Sequence, residues 1–132
     1  RQALIKVIAT RLSGCLAAQV GAQGLLLPAV YQVDLIEVII EPQPYSEEIW
    51  MILQVVAPRL AQDVDPAAAQ LDMELLCNLW GAPRVAEADT EIDQIVVHLM
   101  DHFVTRGEQN SAATQYFASF SLQDTICIWE DF

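Results

Sequence analysis

At 132 residues and 14.7 kDa the chain has room for one domain around one core. Its 54% hydrophobic content and mean hydropathy of +0.31 come without any apolar run of membrane-spanning length. A net charge of −12 is divided unevenly, with three bases and no acid in residues 1–33 and all eighteen acids against three arginines thereafter. Such a field repels phosphates and anionic membranes, which excludes direct nucleic-acid and membrane binding and points to a protein partner with a basic surface.

The excess of apolar residues implies burial at a subunit interface, in a homo-oligomer or as a subunit of a larger complex. The chain starts at Arg1 with neither an initiator Met nor a basic-then-apolar leader, as expected of a segment of a longer protein. Cys15, Cys77 and Cys127 are odd in number, far apart and set among apolar neighbours. They match neither a disulfide framework nor a metal-ligand spacing and read as buried free thiols in a reducing cytoplasm.

Residues 2–23 have helical periodicity, with Leu4, Ile8, Leu12, Leu16 and Val20 on one line and Gly21 and Gly24 as the stop. In 28–41, β-branched residues favour a strand, but Asp34, Glu37 and Glu41 would fall together only on a helix. A regular strand would put Asp34 on one face and Glu37 and Glu41 on the other. Pro42 and Pro44 then force an extended link. Ser46, with Glu47 and Glu48 behind it, resembles an N-cap opening a helix over 49–57 whose sole polar side chain is Gln54. A helix apolar all round is a buried one, so this segment is expected at the centre.

Asp65 and Pro66 open a further helix that Gly81 and Pro83 close, with Ala68, Leu71, Leu75, Leu76 and Leu79 as its buried face. Thr90 and Asp93 resemble a capping box for a helix over 90–106. The polar stretch 107–114 reads as a flexible junction, and 111–130 as two short capped helices or a hairpin. The fold expected is all-α, a compact single-domain bundle of five or six helices. The alternative is α+β, with 31–41 and 49–56 forming a β-hairpin.

Chemistry-bearing groups are sparse. His98 and His102 stand at i and i+4, on one face of the expected helix, yet a zinc site needs three or four ligands and no further one is evident. No nucleophile elbow, activated cysteine or phosphate-cradling glycine motif occurs. No metal or cofactor is therefore expected. The resulting expectation is a non-enzymatic adaptor, regulator, assembly factor or complex subunit. Asp34, Glu37, Glu41, Glu47 and Glu48 would meet the basic partner, with Trp80 as a partly exposed aromatic anchor. The alternatives are a polyanion-mimicking inhibitor or immunity protein, and a helical metal- or ligand-binding protein using His98 and His102.

Overall fold

A computed structural model describes residues 23–26 and 32–131 of the chain. The helix expected over 2–23 thus falls, but for its last residue, outside the described residues. The architecture is α+β, which overturns the all-α bundle. A six-stranded mixed sheet has the order β1 (Gln23–Leu26), β2 (Gln32–Pro42), β3 (Ile49–Val56), β4 (Gln94–Met100), β5 (Gln115–Gln123) and β6 (Ile126–Glu130). Every neighbouring pair is antiparallel except β3 and β4, which are parallel. The hairpin alternative is the arrangement found, since Pro42 pairs with Ile49 and Asp34 with Val56.

The expected central helix is the central strand β3. An all-apolar run suits a helix buried all round, and it suits equally a strand buried on both faces. Met51 to Val55 are all buried, Gln54 included. β4 behaves in the same way, with Ile95 to Met100 buried on both faces, so the helix expected over 90–106 is a strand built on the β-branched run Ile95, Val96 and Val97. The C-terminal segment is likewise a hairpin, β5 to β6, turning through Asp124 and Thr125 at positive φ.

In β2 the argument for a helix fails because of a bulge. Leu35 pairs with Val55 but Glu37 pairs with Gln54, leaving Ile36 as an extra residue. The bulge reverses the phase of the strand, so Asp34, Glu37 and Glu41 all share the face carrying Val56, Gln54 and Trp50. Val33 and Leu35 keep the opposite, buried face.

Parallel β3 and β4 require a crossover. It is supplied by α1 (Leu60–Asp63), α2 (Pro66–Leu76), a π-helical turn (Cys77–Gly81) and α3 (Ala82–Ala86). The start of α2 is as the sequence reads, with Asp65 Oδ1 accepting from the Ala68 N–H at 2.8 Å and Pro66 in first position. Gly81 does not stop the helix. It continues to Ala86, and Gly81 instead lets the backbone close on the sheet, because a Cβ there would lie 3.0 Å from Ile95 Cγ2.

The buried face of the crossover is also displaced from the expected one. Ala69, Met73, Leu76, Cys77 and Trp80 pack on the sheet, whereas Leu71, Leu75 and Leu79 are 68%, 36% and 45% exposed. The helix has two apolar sides, and the one carrying the bulky Trp80 and the cysteine is buried. Cys77 and Cys127 form a disulfide with Cα atoms 6.2 Å apart, joining the π turn to β6. This corrects the reading of both as free thiols, since residues 50 apart in sequence become neighbours only in the fold. Beside the bond, Asn78 Oδ1 accepts from the Cys127 N–H at 2.9 Å.

Candidate functional site

The face of the sheet away from the crossover holds most of the polar side chains of interest. Cross-strand pairing aligns Glu37, Gln54, His98 and Phe117 in one row over β2 to β5. Residues 101–114, linking β4 to β5, form a strap back over this face. Its base is closed by the Asp101 N–H on Thr114 O at 3.0 Å and the Thr114 N–H on Asp101 Oδ1 at 3.1 Å. Its middle is held by Gln54 Nε2 donating to Val104 O at 3.2 Å, with Val104 itself buried. Arg106 then reaches Glu41 with a two-pronged contact, Nη2 to Oε1 at 2.8 Å and Nε to Oε2 at 3.0 Å. The polar stretch 107–114 is the outer part of this strap.

The strap fixes the ionisation of two groups. Hydrogen bonds from Arg106, and then from Gln43, hold the Glu41 carboxyl at a pKa of about 2, well below the usual carboxylate range. His98 is 3% exposed, and burial pushes its pKa down despite the opposing hydrogen bond to Gln115. Both ring nitrogens are engaged: Nε2 lies 2.6 Å from Gln115 Oε1 and Nδ1 lies 3.4 Å from Gln54 Nε2. One neutral tautomer satisfies both contacts, with Nε2–H donating to Gln115 and Nδ1 accepting from Gln54. The ring stacks on Phe117 with centroids 4.1 Å apart. Gln54, having given its N–H groups to Val104 and His98, leaves its buried Oε1 without a hydrogen-bond partner.

Two cavities flank this arrangement. The first, about 540 Å³, lies between the strap and β5 and is lined by Glu108, Gln109, Asn110, Ser111, Gln115 and Phe117. Gln115 thus faces the cavity while also accepting from His98. The second, about 360 Å³, lies at the start of β3 and is lined by Glu47, Glu48, Ile49, Thr90, Glu91 and Asp93. Asp93 Oδ2 accepts from the Ile49 N–H at 2.8 Å, tying the 91–93 segment to β3. Glu48 Oε1 accepts from Trp50 Nε1 at 2.9 Å and from Gln94 Nε2 at 3.3 Å.

The residues singled out by sequence separate into groups. Glu47 and Glu48 come together with Glu91 and Asp93, whose membership no local signal could reveal at a distance of some 44 positions. Asp34 and Glu37 share a face with Glu41, but Glu41 is already neutralised by Arg106. Trp80 is 3% exposed and packs in the core, so it is no surface anchor. His98 and His102 are not brought together as a helical pair. His98 lies inside the sheet, while His102 sits in the strap against Asp101 at 2.9 Å with its side chain 52% exposed. Among the described residues no group of three or more His, Cys, Asp or Glu side chains is placed to hold a metal ion, and no helix is long and apolar enough to cross a membrane.

No curated protein and no solved structure matches the chain. The sequence model of DUF6497, a family of unknown function, matches residues 10–132, and the chain belongs to that family.

Proposed function

We propose that the domain is a non-enzymatic interaction module that captures a basic segment of another protein at the carboxylate-lined cavity beside β3. The observation carrying this reading is the convergence of Glu47, Glu48, Glu91 and Asp93 around one cavity whose lining includes no basic side chain. In a chain of net charge −12 the cavity concentrates a field that already favours cationic partners, and close approach to a concave wall strengthens it. The engagement of both His98 nitrogens supports a structural use of that histidine over proton transfer.

The test is titration with an oligolysine peptide and an uncharged peptide of equal length, over a salt series. The lysine peptide should bind with an affinity that falls as salt rises, and Glu47→Lys with Glu91→Lys should abolish binding while Asp124→Lys does not. Equal binding by the cavity variant and by Asp124→Lys would overturn the reading.

The cytoplasmic placement expected from three lone thiols loses its footing in the Cys77–Cys127 bond. We infer that the domain works in an oxidising compartment, where such bonds form and persist. Protein alkylated in the native cells before extraction should show Cys77 and Cys127 protected from the reagent. Full alkylation of both would reject the inference.

A further inference from the structure

The cavity between the strap and β5 is walled in part by side chains that the fold already holds in place. Gln115 and Phe117 stand two apart on β5, and so on one face of the sheet, and His98 braces both. Its Nε2–H donates to Gln115 Oε1 at 2.6 Å, which fixes the Gln115 amide and leaves its own N–H groups to donate. Its ring stacks on Phe117 with an interplanar angle of 17°. Phe117 lies beyond the last pair of β5 with β6, Ser119 with Glu130, and is 46% exposed. One face of that ring is covered by His98, and the other is left to the cavity. On the strap, Asn110 is held by two contacts: Oδ1 accepts from the Ala112 N–H at 3.0 Å, and Nδ2 lies 3.3 Å from His102 Nε2. The side chains of Glu108, Gln109 and Ser111, which complete the lining, have no hydrogen-bond or ionic partner among the described residues.

From this we propose that the cavity binds a saccharide, with a pyranose ring laid against Phe117. The complementarity is group for group. A pyranose has a face of C–H groups, which packs on an aromatic ring, and a rim of hydroxyls that each donate and accept. The lining offers one bare aromatic face, three amides and a hydroxyl that also donate and accept, and one carboxylate able to accept from two adjacent hydroxyls at once. Glu108 is the only charged group in it, which matches a ligand that is polar but uncharged. At about 540 Å³ the cavity falls within the ~300–1,000 Å³ range of small-molecule sites. Since Gln115, Phe117 and Asn110 are held before any ligand arrives, binding has less order to impose on them. The site is separate from the carboxylate cavity at Glu47 and does not rest on the reading of that cavity.

The experiment is saturation-transfer difference NMR on the full chain with methyl β-glucopyranoside, methyl β-galactopyranoside and methyl α-mannopyranoside, each compared with its fully O-methylated form. At least one of the three should show transfer, strongest at the protons of one ring face, and its O-methylated form should show none. Phe117→Ala should weaken binding by ~10-fold or more. That change also removes the stack on His98, so Gln109→Ala with Ser111→Ala supplies a second readout at exposed, unpartnered positions. It should weaken binding by ~10-fold through two lost hydrogen-bonding groups, while thermal unfolding and oligolysine binding at the Glu47 cavity match the parent. Absence of transfer from all three glycosides would refute the proposal, as would equal transfer from the O-methylated forms or undiminished affinity in the Gln109 and Ser111 double variant.

Discussion

Arg106 grips Glu41 with both prongs of its guanidinium, at 2.8 and 3.0 Å, across 65 residues of sequence. The contact closes the strap over the second face of the sheet. Both side chains retain about 30% exposure, so the pair is screened, and Arg106→Met should cost only about 0.5–1 kcal/mol at neutral pH. A carboxyl whose pKa is lowered on folding gives stability that is complete above its ordinary value of 4.5 and is lost as pH falls toward about 2. The cost of Arg106→Met, measured by urea unfolding, should therefore shrink across that window. An undiminished cost at its acid end would mean that Arg106 acts through packing alone.

His98 gives a second, separable pH dependence. Its pKa is lowered by burial, so below the ordinary value of 6.5 the unfolded chain takes up a proton that the folded chain refuses, and stability falls as pH drops. Protonation would also place a donor on Nδ1 against the Gln54 N–H and loosen the Gln54 to Val104 contact. His98→Gln should cost about 1–3 kcal/mol at mildly alkaline pH, through the lost stack and buried hydrogen bonds. It should also flatten the stability profile just below pH 6.5. The same slope in parent and variant would assign the acid sensitivity to another group.

The cap of α2 was legible in sequence and most of the sheet was not: Ser46, and Thr90 with Asp93, also read as helix caps, but the segments after them are the strands β3 and β4. Asp65 with Pro66 announces α2 because capping is local chemistry. β3 and β4 sit in the middle of the sheet with both faces covered, so they lose the alternation by which strands are recognised and resemble buried helices. β2 keeps its alternation, but the extra Ile36 breaks its phase between Asp34 and Glu37. The carboxylate cavity was half visible as Glu47 and Glu48; Glu91 and Asp93 join it only because β4 starts beside β3. The disulfide was hidden for the same reason, as contact between the crossover and β6 is a property of topology.

The disulfide should be the largest single contribution that can be removed without touching a cavity. Cross-linking residues 50 apart restricts the unfolded chain by an amount worth about 4 kcal/mol in the loop-entropy treatment. Cys77→Ser with Cys127→Ser should lower stability by ~2–4 kcal/mol and, since Cys127 is the second residue of a five-residue edge strand, should expose β6 to hydrogen exchange first. Uniform loss of protection across β4, β5 and β6 would contradict a role specific to that strand.

Gly81 supplies the sharpest test of how the crossover meets the sheet. Its backbone is in the ordinary right-handed region, with φ −81°, so an alanine there meets no conformational strain. Helix propensity alone favours the change by about 1 kcal/mol. The added Cβ, however, would lie 3.0 and 3.1 Å from Ile95 Cγ2 and Cδ1, and 3.4 Å from Leu53 Cδ1. Ile95 and Leu53 are at most 1% exposed and Ile95 is β-branched, so neither can swing aside without displacing the core. Overpacking of this kind costs typically 1–3 kcal/mol, enough to reverse the propensity gain. Gly81→Ala should therefore be destabilising by ~1–2 kcal/mol in equilibrium unfolding, and Gly81→Ala combined with Ile95→Val, which removes the Cδ1 contact, should recover part of that loss. A single variant as stable as the parent would show that the helix can lift off the sheet at this point, and that the close approach is not needed to hold the crossover in place.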